Sequence, residues 1–250
     1  MSGHSKWSKV KRFKGAIDAK RGKIFSKLAK EITIAAKTGG DPNGNPRLRS
    51  AIQAARAQSM PNDNIERAIK RGTGEGKDAQ HFDEIVYEGY GPGGVAIIVE
   101  AATDNKNRTG AEIRSVFTKH NGNLASSGSV SYMFHRKGQI TVPRSSIDED
   151  RILELALEAG AEELTTDEDQ YLIITSHDQL YAVAEALKNA GVTTDGQKFT
   201  FIPDTTVPVP DEAAARQVLR LCDALEDDDD VQNVYSNLEI PDELLARLPA

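Results

Sequence analysis

Apolar residues recur at helical spacing from Lys23 to Lys37, where Ile24, Phe25, Leu28, Ile32, Ala35 and Ala36 share one face of a predicted helix. Lys23, Lys27, Lys30 and Lys37 fall on the opposite face, with Ile34 intruding on their stripe. The segment GGDPNGNP at 39–46 reads as a loop, and Asn45 before Pro46 suits the cap and first turn of a second helix. That helix would bury Leu48, Ala51, Ile52 and Ala55 and leave Arg49, Gln53 and Arg56 outside. A third is expected after Pro61, capped by Asn62 and ending near Gly72, with Ile65, Ala68 and Ile69 inside and Arg67, Lys70 and Arg71 outside. Three amphipathic helices with short connections make a small bundle.

After a linker at 72–80 the period changes to that of strands. Residues 82–90 and 94–102 are strand candidates joined by a Gly-Pro-Gly-Gly turn, and Thr109 with Glu112 gives a capping-box pattern for a helix closed by Gly122. A strand pair is expected around 129–142, then a helix near 148–159, strands near 162–166 and 170–175, a helix at 178–190, a strand at 197–203, a helix at 211–225 and a strand at 231–236. The order β, α, β, β, α, β between about 133 and 203 is that of a ferredoxin-like unit. The expected fold is therefore α+β with three domains. These are a basic arm and three-helix bundle at 1–77, a discontinuous α/β domain at 78–132 with 204–250, and an inserted ferredoxin-like α/β domain at 133–203.

Charge sharpens this division. Residues 1–77 hold 18 Lys and Arg against 6 Asp and Glu, whereas residues 78–250 hold 13 against 32, a split hidden by the net charge of −7. A concentrated positive field is the ordinary partner of a phosphate backbone, because releasing condensed counterions drives association. Nucleic acid, as DNA or as ribosomal RNA on the ribosome, is thus the expected ligand, with a protein partner at the acidic α/β domains. No stretch approaches the roughly 20 apolar residues of a membrane span, and the start of the chain lacks the apolar core of a secretion signal. The expectation is a cytoplasmic protein without membrane or small-molecule substrate.

The arm supplies Lys6, Lys9, Lys11, Arg12 and Lys14, with Trp7 as a base-stacking residue that orders on binding. Lys20, Arg21, Lys23, Lys27 and Lys30 continue the field along the first helix, Arg47, Arg49 and Arg56 along the second, and Arg67, Lys70 and Arg71 along the third. Arg49, Arg56 and Arg67 are the better candidates for base edges, because a guanidinium fork can pair bidentately. Nothing resembles a helix-turn-helix reading helix, so weak sequence specificity is expected. The acidic lobes would fold back on the basic module and weaken non-specific binding.

Other chemistries find little support. GYGPGG at 89–94 satisfies GxGxxG but precedes a strand-like run, whereas a dinucleotide site needs a helix there, so it reads as a hairpin turn. Asp41, Asn43 and Asn45 begin like a calcium loop that fails at Pro46 and Ile52. The histidines His4, His81, His120, His135 and His177 have no metal-ligand spacing. Cys222, the single cysteine, lies on an apolar stripe with Val218, Leu221 and Leu225 and reads as packing. The acidic run from Glu226 to Asp230 reads as a solvated helix exit. A carboxylate-based hydrolase or transferase is the rival from another class; the expectation is no catalysis, no cofactor and no metal.

GHSKW at 3–7, DAKRGKIFSKLAKEI at 18–32, GGDPNGNPRLRSAI at 39–52, MPNDNIERAIKRG at 60–72, YEGYGPGGVAIIVEAATDNKNRT at 87–109 and GSVSYMF at 128–134 together resemble the YebC family. Its members include bacterial proteins classed as probable transcriptional regulators and mitochondrial translational activators of cytochrome oxidase. The resemblance implies a three-lobed protein with a helical N-terminal domain and two α/β domains, in the cytoplasm, regulating gene expression without catalysis. It leaves two mechanisms open: binding of promoter DNA, or action on the translating ribosome, including at proline-rich stretches.

Overall fold

The structure, a computed structural model, describes residues 19–75 and 81–245, apart from the side chains of 19–21, 242 and 245. Lys6, Trp7, Lys9, Lys11, Arg12 and Lys14, expected to contact nucleic acid, lie outside the described residues, as do the side chains of Lys20 and Arg21. Two compact units divide the chain: Met1–Phe134 together with Pro203–Ala250, and His135–Ile202. Helices and antiparallel sheets are both present, giving the α+β class.

The first unit contains a bundle of α1 (Ala19–Ala36), α2 (Pro46–Ala57) and α3 (Asn62–Thr73). Its core is Ile32, Ala35, Ala36, Leu48, Ala51, Ile52, Ala55, Met60, Ile65 and Ala68, close to the set that helical spacing selects, although Ile24 is exposed. Asn45 fixes the α1–α2 connection. Its Oδ1 accepts the Leu48 N–H at 3.1 Å, and its amide donates to the Ala35 and Gly39 carbonyls at 2.7 and 2.8 Å. The third helix begins after Pro61 and ends beside Gly72 as expected, but its caps differ: Pro61 is the N-cap and Asn62 the first helical residue, while Gly74, at φ 76°, forms the left-handed C-cap. Gly72 lies inside the helix because α1 passes so close that a Cβ there would stand 2.2 Å from the Thr33 carbonyl oxygen.

The α/β part of this unit is a sheet of β1 (Asp83–Tyr90), β2 (Ala96–Thr103), β3 (Asn123–Leu124) and β9 (Val231–Ser236), ordered β3-β1-β2-β9. Tyr90 pairs with Ala96 across the GPGG turn, so the glycine-rich string closes an antiparallel hairpin, with Gly93 and Gly94 at φ 72° and 76°. On one face lie α4 (Lys106–Lys119) and α7 (Glu212–Glu226), enclosing Ile97, Val99, Ile113, Phe117, Val218, Leu221 and Leu225, together with the fully buried Cys222. The capping-box expectation fails: Asn105 caps α4 by accepting the Arg108 N–H, and Thr109 is buried within the helix. A second small pairing joins β8 (Val207–Pro208) to β10 (Leu238–Glu239), and α8 spans Asp242–Leu245.

The second unit contains β4 (Phe134–Pro143), α5 (Glu149–Glu158), β5 (Glu163–Thr166), β6 (Gln170–Ser176), α6 (Leu180–Asn189) and β7 (Gly196–Pro203). The strand order β5-β6-β4-β7 with this βαββαβ succession is ferredoxin-like. Its core joins Ile140, Val142 and Ile173 of the sheet to Ile152, Leu155, Val183 and Leu187 of the helices. In place of the strand pair expected at 129–142 there is one long strand, preceded by a one-turn 3-10 helix at Ser131–Met133.

Two helical glycines should respond oppositely to the same change. Alanine is favoured over glycine in a helix by about 1 kcal/mol, and at Gly22 of α1 a Cβ meets nothing within 4 Å among the described residues. Gly22→Ala should therefore stabilise by up to about 1 kcal/mol. At Gly72 the collision with α1 outweighs that gain, and Gly72→Ala should destabilise by about 1–3 kcal/mol. Urea unfolding midpoints of the two variants, read against the wild type, check both signs.

Candidate nucleic-acid interface

The cationic side of α1 meets the exit of α7 rather than open solvent. Lys23 Nζ donates to the Asp227 carbonyl at 2.9 Å and its carboxylate at 3.3 Å, and Lys27 Nζ to the Glu226 carbonyl at 2.8 Å. Lys30 Nζ reaches the Asp229 carbonyl at 2.7 Å and Asp230 Oδ1 at 2.6 Å, and lies 5.6 Å from the centre of the Phe82 ring. Ile34, on the same stripe, is buried with Phe82 and Ala102, while Lys37 donates to the Phe82 carbonyl. The solvent-facing stripe expected for Lys23, Lys27 and Lys30 is thus corrected to a seam within the first unit.

The physical reason lies at the end of α7. A helix leaves its last carbonyls unbonded at the negative end of its dipole, and α7 has no basic residue in its last turn. Four consecutive aspartates follow it, adding like charge to that end. Lysines of α1 supply the missing donors and positive charge. The expectation of a solvated exit at Glu226–Asp230 holds for the exposed side chains of Asp227 and Asp229 and is corrected at Asp230, which is buried.

Asp230 is the centre of the seam. Its carboxylate also accepts from Arg108 at 2.6 Å, Thr109 at 2.7 Å and Thr103 at 3.0 Å, and its side chain is only 9% exposed. Burial opposes ionisation, but Lys30, Arg108 and Thr109 outweigh it and hold the carboxyl well below the usual range. The same carboxylate raises the affinity of the Arg108 guanidinium for its proton. Glu112, Asp228 and Asp230 bring carboxylate oxygens within 4.8 Å of one another and are the cation-binding candidate among the described residues. A metal ion there would have to compete with Lys30 and Arg108 for Asp230.

Arg47 is likewise engaged, between Glu31 at 2.8 Å and Glu84 at 2.6 Å. Burial would lower its proton affinity, but the two carboxylates raise it overall. Arg49 donates weakly to the Pro42 and Asn43 carbonyls of its own loop, at 3.3 and 3.4 Å. Arg56, at the end of α2, and Arg67 and Lys70 of α3 are exposed, and Arg71 is half-buried. Arg67, Lys70 and Arg71 stand three and four residues apart on one helical face.

The carboxylates whose acidities are displaced do not resemble a general acid. Glu88, Asp178 and Asp230 are all shifted downward, whereas an acid that must stay protonated near neutrality is shifted up. At Glu88 burial favours the neutral form, but the N–H groups of Gly128, Val130 and Ser131 and the Ser131 hydroxyl hold the charge. His177, stacked on Phe199, is pushed down by burial and by Arg136. No described helix is long and apolar enough to cross a membrane.

Comparison with known proteins bears on the whole chain. Residues 5–75 match the domain family described as the TACO1/YebC protein N-terminal domain, and residues 82–238 that described as the TACO1/YebC second and third domain. A "Probable transcriptional regulatory protein" of Syntrophus aciditrophicus is 54% identical, each chain being covered in full. One from Chlorobaculum tepidum is 56% identical over 99% of both chains. A solved structure of a conserved hypothetical protein from Aquifex aeolicus is 50% identical, with a TM-score of 0.84 over 92% of this chain and 95% of that one.

Because the folded state holds Asp230 more acidic than the unfolded chain does, the stability it contributes is complete above about pH 4 and is lost as pH falls below that value. Asp230→Asn should cost on the order of 3 kcal/mol near neutrality, since it leaves the largely buried Lys30 without its counter-charge. It should also flatten the acid limb of the stability profile. Urea unfolding across the acid range would show a parallel, merely offset curve if Asp230 were not the group responsible.

Proposed function

The chain belongs to the TACO1/YebC family, and on that premise we propose that it is a non-enzymatic regulator of gene expression that binds nucleic acid, acting on transcription through DNA. The names of the relatives support the regulatory reading. One observation carries the assignment of the surface: Arg67, Lys70 and Arg71 share a face of α3 and, like Arg56, have side chains that form no hydrogen bond or ion pair with another described residue. Lys23, Lys27, Lys30, Arg47 and Arg49 all have intramolecular partners. The phosphate-facing set is therefore Arg56, Arg67, Lys70 and Arg71, extended by the cations of residues 1–21. Arg56 and Arg67 are the base-edge candidates of this set, since each is exposed and carries a guanidinium fork.

Crosslinking in cells tests the ligand. Promoter fragments are the expected product, and recovery of ribosomal RNA instead would replace the DNA reading with action on the ribosome. The surface has a separate test in the salt dependence of binding. Each phosphate contact contributes about 0.7–0.9 to the slope of log affinity against log salt. Arg67→Gln, Lys70→Gln and Arg71→Gln together should make that slope shallower by about 2–3. Lys23→Gln should leave it nearly unchanged, because that lysine faces Asp227. Fluorescence anisotropy over a salt series reads both, and equal slopes for the triple variant and the wild type would remove α3 from the interface.

A further inference from the structure

The GSVSYMF segment is built to hold one aromatic ring in solvent. Tyr132 is 72% exposed, the most exposed large hydrophobic residue among those described, yet its neighbours Val130 and Phe134 are buried at 0% and 6%. The backbone on either side is fixed. Glu88 accepts the N–H groups of Gly128, Val130 and Ser131 at 2.8, 2.6 and 2.8 Å. The Tyr90 hydroxyl donates to the Ser129 carbonyl at 2.8 Å, Ala125 N–H to the Glu88 carbonyl at 2.8 Å, and Asp204 N–H to the Met133 carbonyl at 2.9 Å.

Burying a carboxylate is costly unless its charge is satisfied. Glu88 is 4% exposed, and the partners that satisfy it are hydrogen-bond donors of this one loop. Packing alone would be served as well by an apolar residue at that position. What the carboxylate adds is a fixed path for residues 128–131, and that path ends in the single turn that carries Tyr132. A ring on a fixed backbone loses little further freedom when a flat partner settles on it.

We propose that Tyr132 is a stacking residue for an unpaired nucleobase. The inference rests on the nucleic-acid reading above and adds a second kind of contact to it. Cations on α3 hold phosphates without regard to base pairing, whereas an exposed ring takes a base that has left, or never joined, a duplex stack. Glu88, whose charge is turned inward to the loop, presents no exposed carboxylate to repel the strand.

The experiment compares the full chain with Tyr132→Ala, Tyr132→Phe and Tyr132→Trp, using labelled oligouridylate, labelled oligothymidylate and a mixed-sequence duplex in anisotropy titrations. Tyr132→Ala should weaken single-strand binding roughly 5- to 150-fold, the equivalent of about 1–3 kcal/mol for one stacked base. Its salt slope and its duplex affinity should stay unchanged, and Tyr132→Phe and Tyr132→Trp should retain single-strand affinity. Thermal unfolding of Tyr132→Ala should match the wild type, since the ring is exposed. Equal single-strand affinity for Tyr132→Ala and wild type, with binding intact, would overturn the stacking role alone. Absence of salt-sensitive binding to any of the three probes would overturn both this inference and the nucleic-acid reading.

Discussion

The contact between the cationic side of α1 and the acidic exit of α7 governs how this chain can use its charge. A helix end that lacks its own basic residues and runs into Asp227, Asp228, Asp229 and Asp230 is electrostatically unfavourable by itself. Lys23, Lys27 and Lys30 resolve that conflict by supplying donors to the terminal carbonyls and charge to the carboxylates. Their contributions differ with depth. Lys23 and Asp227 are 42% and 67% exposed, where screening leaves an ion pair worth at most about 1 kcal/mol. Lys30 and Asp230 are 16% and 9% exposed, and there removal of either partner leaves a largely desolvated charge behind.

This arrangement changes what the charge split between the two halves of the chain means. Counted along the sequence alone, the basic segment would be wholly available to a polyanion. In the fold, part of its charge is committed to the protein's own carboxylates and helix carbonyls, and Arg47 is committed to Glu31 and Glu84. Net charge describes the field at a distance, while contact with phosphate depends on which donors remain unpaired at the surface. The distinction leaves the α3 face and the end of α2 as the described positive surface of the bundle.

Local rules made much of the fold legible. The helical period of α2 and α3, the Asn45–Pro46 cap and the βαββαβ succession each express an interaction between residues close in sequence or an alternation along one strand. The seam was harder to read because its partners lie about two hundred positions apart, as in the separation of 200 between Lys30 and Asp230. Two signals pointed to it: Ile34 sits on a stripe that a purely solvated face would keep polar, and α7 ends in acid with no local cation. Thr109 misled for a related reason. Its hydroxyl does bond near a helix start, but to Thr103 and Asp230 in the interior, and Asn105 takes the capping role. Gly72 resembled a helix terminator, whereas its missing side chain serves the close approach of α1.

Two buried carboxylates in the first unit show how the same chemical group is used in opposite ways. Asp230 is held by Lys30, Arg108 and the hydroxyls of Thr103 and Thr109, so side chains from α1, β2 and α4 converge on it and it joins elements. Glu88 is held by consecutive stretches of one loop's backbone, so it fixes the path of a single segment. A cation partner could rotate about several bonds and still satisfy a carboxylate, but backbone N–H groups can do so only if φ and ψ are set, as at Gly128 with φ 86°. An acid satisfied in that manner acts as a template for main-chain shape. Tyr132 owes its position to that template, because the residues that precede it have no freedom to draw its ring back onto the sheet without breaking the bonds that keep Glu88 ionised.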